Sequence, residues 1–228
     1  LLIGCARGSV AQRDSFIECR EPASECEHGH GGRPSVAQEA ANKAGVAAVK
    51  AMTEAQQIHL AYDALFGGGK PEVISSAGRK LQFQGGSIVW LGDLAILVAP
   101  ATNSGSSPAT MGALGVFYLK PDGRKFEAVQ QFPFAIEGSI MGNPPEWEVS
   151  HDIIDRPVII SITSGVWQGF YCATTTLTEI GPEAPEKLAS FRSAFDNSDN
   201  PPILDSVQSV EGKIGNVRKN ESFDVLFK

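Results

Sequence analysis

The sequence predicts an α+β fold in which one long N-terminal helix packs on a mainly antiparallel β meander or sandwich. Three observations lead there: a helix-period apolar pattern fills residues 36–66, turn signals recur at short spacing after Pro71, and no helical period separates the apolar runs between those turns. The chain accordingly divides into a polar, cysteine-containing segment (1–35), an alanine-rich helix (36–67) and a β-rich domain (68–228).

The helix is expected from Val36 to Phe66. Ser35 and Gln38 have the spacing of a capping box, and Gly67-Gly68-Gly69 ends the periodic run. Steps of three and four residues select Ala41, Ala44, Ala48, Ala51, Ala55, Ile58, Tyr62 and Leu65. Alanine buries little area, so this seam needs a surface that approaches closely. That surface is the chain's own sheet, a second copy or a different protein, and Ala41, Ala44, Ala48, Ala51, Ala55 and Ile58 are the expected interaction residues. Val46, Val49 and Met52 extend the apolar surface onto a neighbouring stripe, while Gly45 marks a bend or a close approach.

The strands follow in order. Ile88–Leu91 and Leu94–Val98 flank Gly92-Asp93, a hairpin signal, and Pro121-Asp122-Gly123 supplies the next turn. Further breaks are expected at Ser164-Gly165 and Gly181-Pro182, and a closing hairpin around Lys219-Asn220. A loose echo relates Leu94–Val98, Gly115–Leu119 and Phe126 to Val158–Ile162, Gly169–Cys172 and Leu188. Two such units suit adjacent blades or the two sheets of a sandwich.

The 228 residues carry 19 Lys+Arg against 26 Asp+Glu, a net charge of −7, which argues against a nucleic-acid partner. No run approaches the roughly 20 apolar residues of a membrane-spanning helix. Membrane contact is expected only through a possible N-terminal lipid.

That lipid is suggested by Leu1-Leu2-Ile3-Gly4-Cys5, an apolar run that gives way to the small and polar residues after Cys5. Leu2-Ile3-Gly4-Cys5 resembles the lipobox of bacterial lipoproteins, and the resemblance implies lipidation of Cys5, loss of Leu1–Gly4 and a place in the periplasm or outer membrane. Ser9-Val10-Ala11 before Gln12 suits an ordinary signal peptidase instead, and an uncleaved packed segment is a third reading. In an exported chain Cys19 and Cys26 close a short loop as a disulfide, and Cys172, among aromatic and β-branched residues, is expected to be a buried, inert thiol.

No catalytic or nucleotide-binding fingerprint is present. The nearest acid–base group is Glu146, Glu148, His151, Asp152 and Asp155 around Trp147. In a strand Glu146 and Glu148 share one face, which reads most simply as a solvated face opposite a buried Trp147 and Val149. His28 and His30 in a glycine-rich loop, and Asp196 with Asp199 before a Pro-Pro pair, have the donor chemistry of metal ligands but incomplete sets, so neither metal nor cofactor is expected. Strand alternation is expected to send Trp167 or Phe170 inward to pack in the core. The sequence therefore points to an exported envelope protein that binds or assembles, through its helix, with a protein partner or its own copies. The alternative is a periplasmic hydrolase using Glu146, Glu148, His151 and Asp152.

Overall fold

A computed structural model describes residues 36–105, 107, 109–198 and 208–228. The protein is mostly β, with two short helices and two curled antiparallel sheets. The first sheet holds β1 (Glu72–Ile74), β2 (Lys80–Phe83), β3 (Ser87–Leu91), β4 (Leu94–Asn103), β5 (Ala113–Asp122) and β6 (Lys125–Glu137), in the order β1-β2-β4-β5-β6, with β3 also paired to β4. The second holds β7 (Glu146–Ser150), β8 (Val158–Trp167), β9 (Phe170–Ile180), β10 (Pro185–Asp196), β11 (Ser209–Arg218) and β12 (Ser222–Phe227), each strand beside its neighbour in sequence.

The expected α+β fold with a single long helix is corrected. Residues 36–66 form α1 (Val36–Lys50) and α2 (Glu54–Phe66), separated at Ala51-Met52-Thr53. The cause is local. Thr53 accepts a hydrogen bond from the Gln56 amide through its side chain, and the Gln56 side chain accepts one from the Thr53 amide, a complete capping box that starts a new helix. Gln57 reinforces the break by donating to the Met52 carbonyl while accepting from the Trp90 indole of β3. Gly45 is a close approach: a Cβ there would lie 3.2 Å from the backbone of Gly123, in the turn between β5 and β6. Gly67, in the left-handed conformation, ends α2 as the glycine run suggests.

Three layers result. The helices cover one face of the first sheet, where Val49 and Ala61 meet Leu81, Phe83, Leu97 and Phe117. The other face of that sheet, with Ile96, Val98, Leu114, Val116 and Tyr118, packs on Ile159 and Ile180 of the second sheet. The Tyr118 hydroxyl donates to the Gly181 carbonyl at 2.9 Å, tying the two sheets together. The three-strand echo corresponds to β4–β6 in one sheet and β8–β10 in the other.

The Gly92-Asp93 hairpin and the turns at Gly181-Pro182 and Lys219-Asn220 lie where the sequence places them. Two turns differ. β5 continues through Pro121 and Asp122 and turns at Gly123-Arg124, and β8 runs through Ser164-Gly165 to turn at Gln168-Gly169, with positive φ at Gly123, Gln168 and Gly169. The second sheet curls until the tip of its last hairpin meets the connection after β7: the Asn220 amide donates to the Ile153 carbonyl at 2.9 Å, and the Asn220 side chain accepts from the Asp155 amide. Ile153, Val158 and Leu177 fill this closed end with Phe191, Ile214 and Phe223.

Candidate functional site

The curl of the second sheet leaves a cleft of about 570 Å³ above that closed end. Strand alternation decides which side chains reach it. On β7, Trp147 and Val149 turn into the core between the sheets, so Glu146 and Glu148 fall on the cleft side, opposite Ile162 and Ile160 of β8. Ala173 and Thr175 of β9 and Phe191 of β10 continue the same face. The apolar wall is thus Ile160, Ile162, Ala173 and Phe191, and carboxylates stand on both lips.

A β-bulge gives the site its distinctive group. Between Arg192 and Ala194 the β10 register against β9 slips by one residue, and the extra residue is Ser193. Ser193 lines the cleft at 5% exposure, and its Oγ is the buried side-chain polar atom that lacks a hydrogen-bond partner among the described residues. Leaving a hydroxyl so placed costs on the order of 1–3 kcal/mol, a cost that a ligand atom relieves.

The lips differ electrostatically. Asp196 accepts the Ser198 amide at 2.7 Å, and bonds from Ser198 hold its carboxyl below the usual carboxylate range. Glu211 is bracketed by Lys228 at 2.9 Å and Lys213 at 3.3 Å, and these bonds hold its carboxyl low as well. The carboxylates of Glu146 and Glu148 have no ion pair or hydrogen bond among the described residues.

The structure brings together only part of the predicted acid–base group. Glu146 and Glu148 line the cleft, whereas His151 and Asp152 lie beyond β7 on the exposed connection and do not line it. Asp196 also lines it, and Asp199 lies outside the described residues, as do Cys5, Cys19, Cys26, His28 and His30. Among the described residues no three His, Cys, Asp or Glu side chains cluster as metal ligands, and no helix is long and apolar enough to cross a membrane. Cys172 is half-buried on β9, where the sequence leads one to expect full burial.

The alanine seam is also placed differently. Ala44, Ala48, Ala51 and Ala55 are exposed, while Gly45, Val49, Gln57 and Ala61 face the sheet; only Ile58 of the expected set packs against that core. The side chain of Ala41 lies outside the described ones. Ala48, Ala51 and Ala55 border a shallow concavity with Met52, His59 and Arg124. Of Trp167 and Phe170, Trp167 is 68% exposed at the tip of the β8–β9 hairpin, while Phe170 is half-buried and stacks on Phe195 at 6.2 Å. Ser193, Glu211 and Lys213 were not singled out by sequence reasoning, because neither a bulge nor a curl has a period to read.

No protein-family model, no curated protein and no solved structure matches this chain.

Proposed function

We propose that this is a non-catalytic binding protein of the cell envelope whose curled second sheet takes up a small ligand. The observation that carries the reading is the unpartnered, buried Ser193 hydroxyl on the wall of a cleft of small-molecule size. Such a hydroxyl costs stability in the empty protein and recovers it when a ligand supplies the missing hydrogen bond. Beside it Ile160, Ile162, Ala173 and Phe191 form an apolar stretch of wall, which suits holding a molecule more than transforming one.

A thermal-shift screen of small amphiphiles against the wild type and Ile162→Gln tests it. The expected result is a raised melting temperature with at least one class, lost in the variant. Shifts that persist in Ile162→Gln, or turnover abolished by Glu146→Gln or Glu148→Gln, would overturn it. The envelope location rests on Leu2-Ile3-Gly4-Cys5, and intact mass of natively purified protein decides it: a retained Leu1–Gly4 without lipid removes the anchor.

Assembly through the helices is a second reading, favoured by the exposure of Ala44, Ala48, Ala51 and Ala55. Light scattering on Ala48→Glu combined with Ala55→Glu tests it, and an unchanged assembly state sinks it.

A further inference from the structure

We propose that the cleft selects a cationic amphiphile, a hydrocarbon arm ending in a protonated amine. This rests on the reading of the cleft as a ligand site and adds the chemistry of the ligand.

The arm follows from the wall. Ile160, Ile162, Ala173 and Phe191 present carbon to the cleft, and below them lies the apolar closed end formed by Leu177, Ile214 and Phe223. Burying hydrocarbon there removes apolar surface of both partners from water.

The amine follows from how charge is distributed between the lips. On the β11 lip Glu211 is already met by two ammonium groups, Lys213 and Lys228, and Asp196 by the Ser198 amide. On the β7 lip Glu146 and Glu148 stand two residues apart on one face with no partner. Two like charges so placed repel one another, and a cation between them relieves the repulsion while gaining two attractions. An anionic head group would meet the same pair as a barrier. A neutral one would partly desolvate both carboxylates without compensation. Tyr171, at the mouth, adds a ring face of the sort that attracts ammonium groups.

Three probes of equal chain length separate the terms: decylammonium, decanol and decanoate, each below its micelle concentration. They are titrated calorimetrically at neutral pH into the full chain, into the double variant Glu146→Gln with Glu148→Gln, and into Ile162→Gln, with circular dichroism confirming that each variant is folded. Decylammonium is expected to bind about tenfold tighter than decanol, a difference that two partly solvated ion pairs supply. Decanoate is expected to be weakest. The double variant should abolish the preference for decylammonium over decanol and leave decanol binding as tight as in the wild type or slightly tighter, whereas Ile162→Gln should weaken all three.

Equal affinity for decanol and decylammonium, unaffected by the double variant, would overturn the cationic selectivity and leave the cleft as a ligand site. Binding unchanged in Ile162→Gln, or no binding by any probe, would overturn both.

Discussion

At the scale of single residues, Ser193 and Tyr118 show opposite uses of a buried hydroxyl. Ser193 Oγ has no partner among the described residues, so replacing it removes a cost and no bond. Ser193→Ala should therefore stabilise the ligand-free protein by about 1 kcal/mol in urea unfolding. A destabilised Ser193→Ala would mean that the hydroxyl is satisfied internally. Tyr118 is the reverse case: its hydroxyl bridges the sheets to Gly181, and burial pushes its pKa up to about 12. Because the neutral form is favoured in the fold, the unfolded chain loses this proton first as pH rises past about 10. Stability is then full below about pH 10 and falls toward pH 12, with a slope of up to about 1.4 kcal/mol per pH unit. Tyr118→Phe should lower stability by roughly 1 kcal/mol at neutral pH, through the lost bond, and flatten that alkaline slope. Urea melts across pH 8–11 compare the two proteins.

At the scale of elements, the helical region shows what a periodic pattern hides. The apolar steps run through Thr53 without interruption, so the pattern reads as one helix. The signal that divides it was present as Thr53 and Gln56, the same Ser/Thr-x-x-Gln spacing credited to Ser35 and Gln38. Thr53→Ala should cost about 1 kcal/mol in urea unfolding, the usual worth of an N-cap. Dividing the helix also rotates the seam away from the sheet, because the buried set is Gly45, Val49, Gln57 and Ala61 instead of the alanine column. Ala48→Glu with Ala55→Glu should hence change stability by less than ~0.5 kcal/mol, as for exposed positions, whereas Ala61→Glu should prevent stable folding. A severe loss in the Ala48/Ala55 variant would show the seam to be packed. The strands were easier to read, since Gly92 and Gly181 sit in connections and Lys219-Asn220 spans a turn. Ser164-Gly165 misled because a glycine in a strand leaves the same mark as one in a turn; here Gly165 lies in β8, where an added Cβ would press on Ile140. On β7 the alternation of Glu146, Trp147, Glu148 and Val149 was enough to assign both faces, but what the outer face looks onto depends on curl, which alternation cannot express.

At the scale of the molecule, the two sheets share one core. Val98, Leu114 and Tyr118 of the first meet Ile159 and Ile180 of the second, so neither sheet can keep its inner face dry without the other. The closed end of the second sheet has its own smaller cluster, built on Leu177 and latched by Asn220. If the shared core makes the molecule one cooperative unit, damage in either cluster must appear at every reporter. Trp90 lies beneath the helices, Trp147 between the sheets and Trp167 at the exposed hairpin tip, so tryptophan emission samples all three regions. Ile159→Ala and Leu177→Ala, each truncating a fully buried side chain, should each lower stability by roughly 2–5 kcal/mol. Fluorescence and far-ultraviolet dichroism should follow a single coincident transition in both variants. A transition in Leu177→Ala that splits, with the second sheet melting first, would show that the cleft can open while the rest stays folded. Cooperativity also governs how binding is felt: a ligand held on the wall of the second sheet stabilises only the folded state, and in a single unit that gain moves the whole transition. Saturating decylammonium should accordingly raise the melting midpoint equally by both probes, and a shift confined to one of them would separate the sheets energetically.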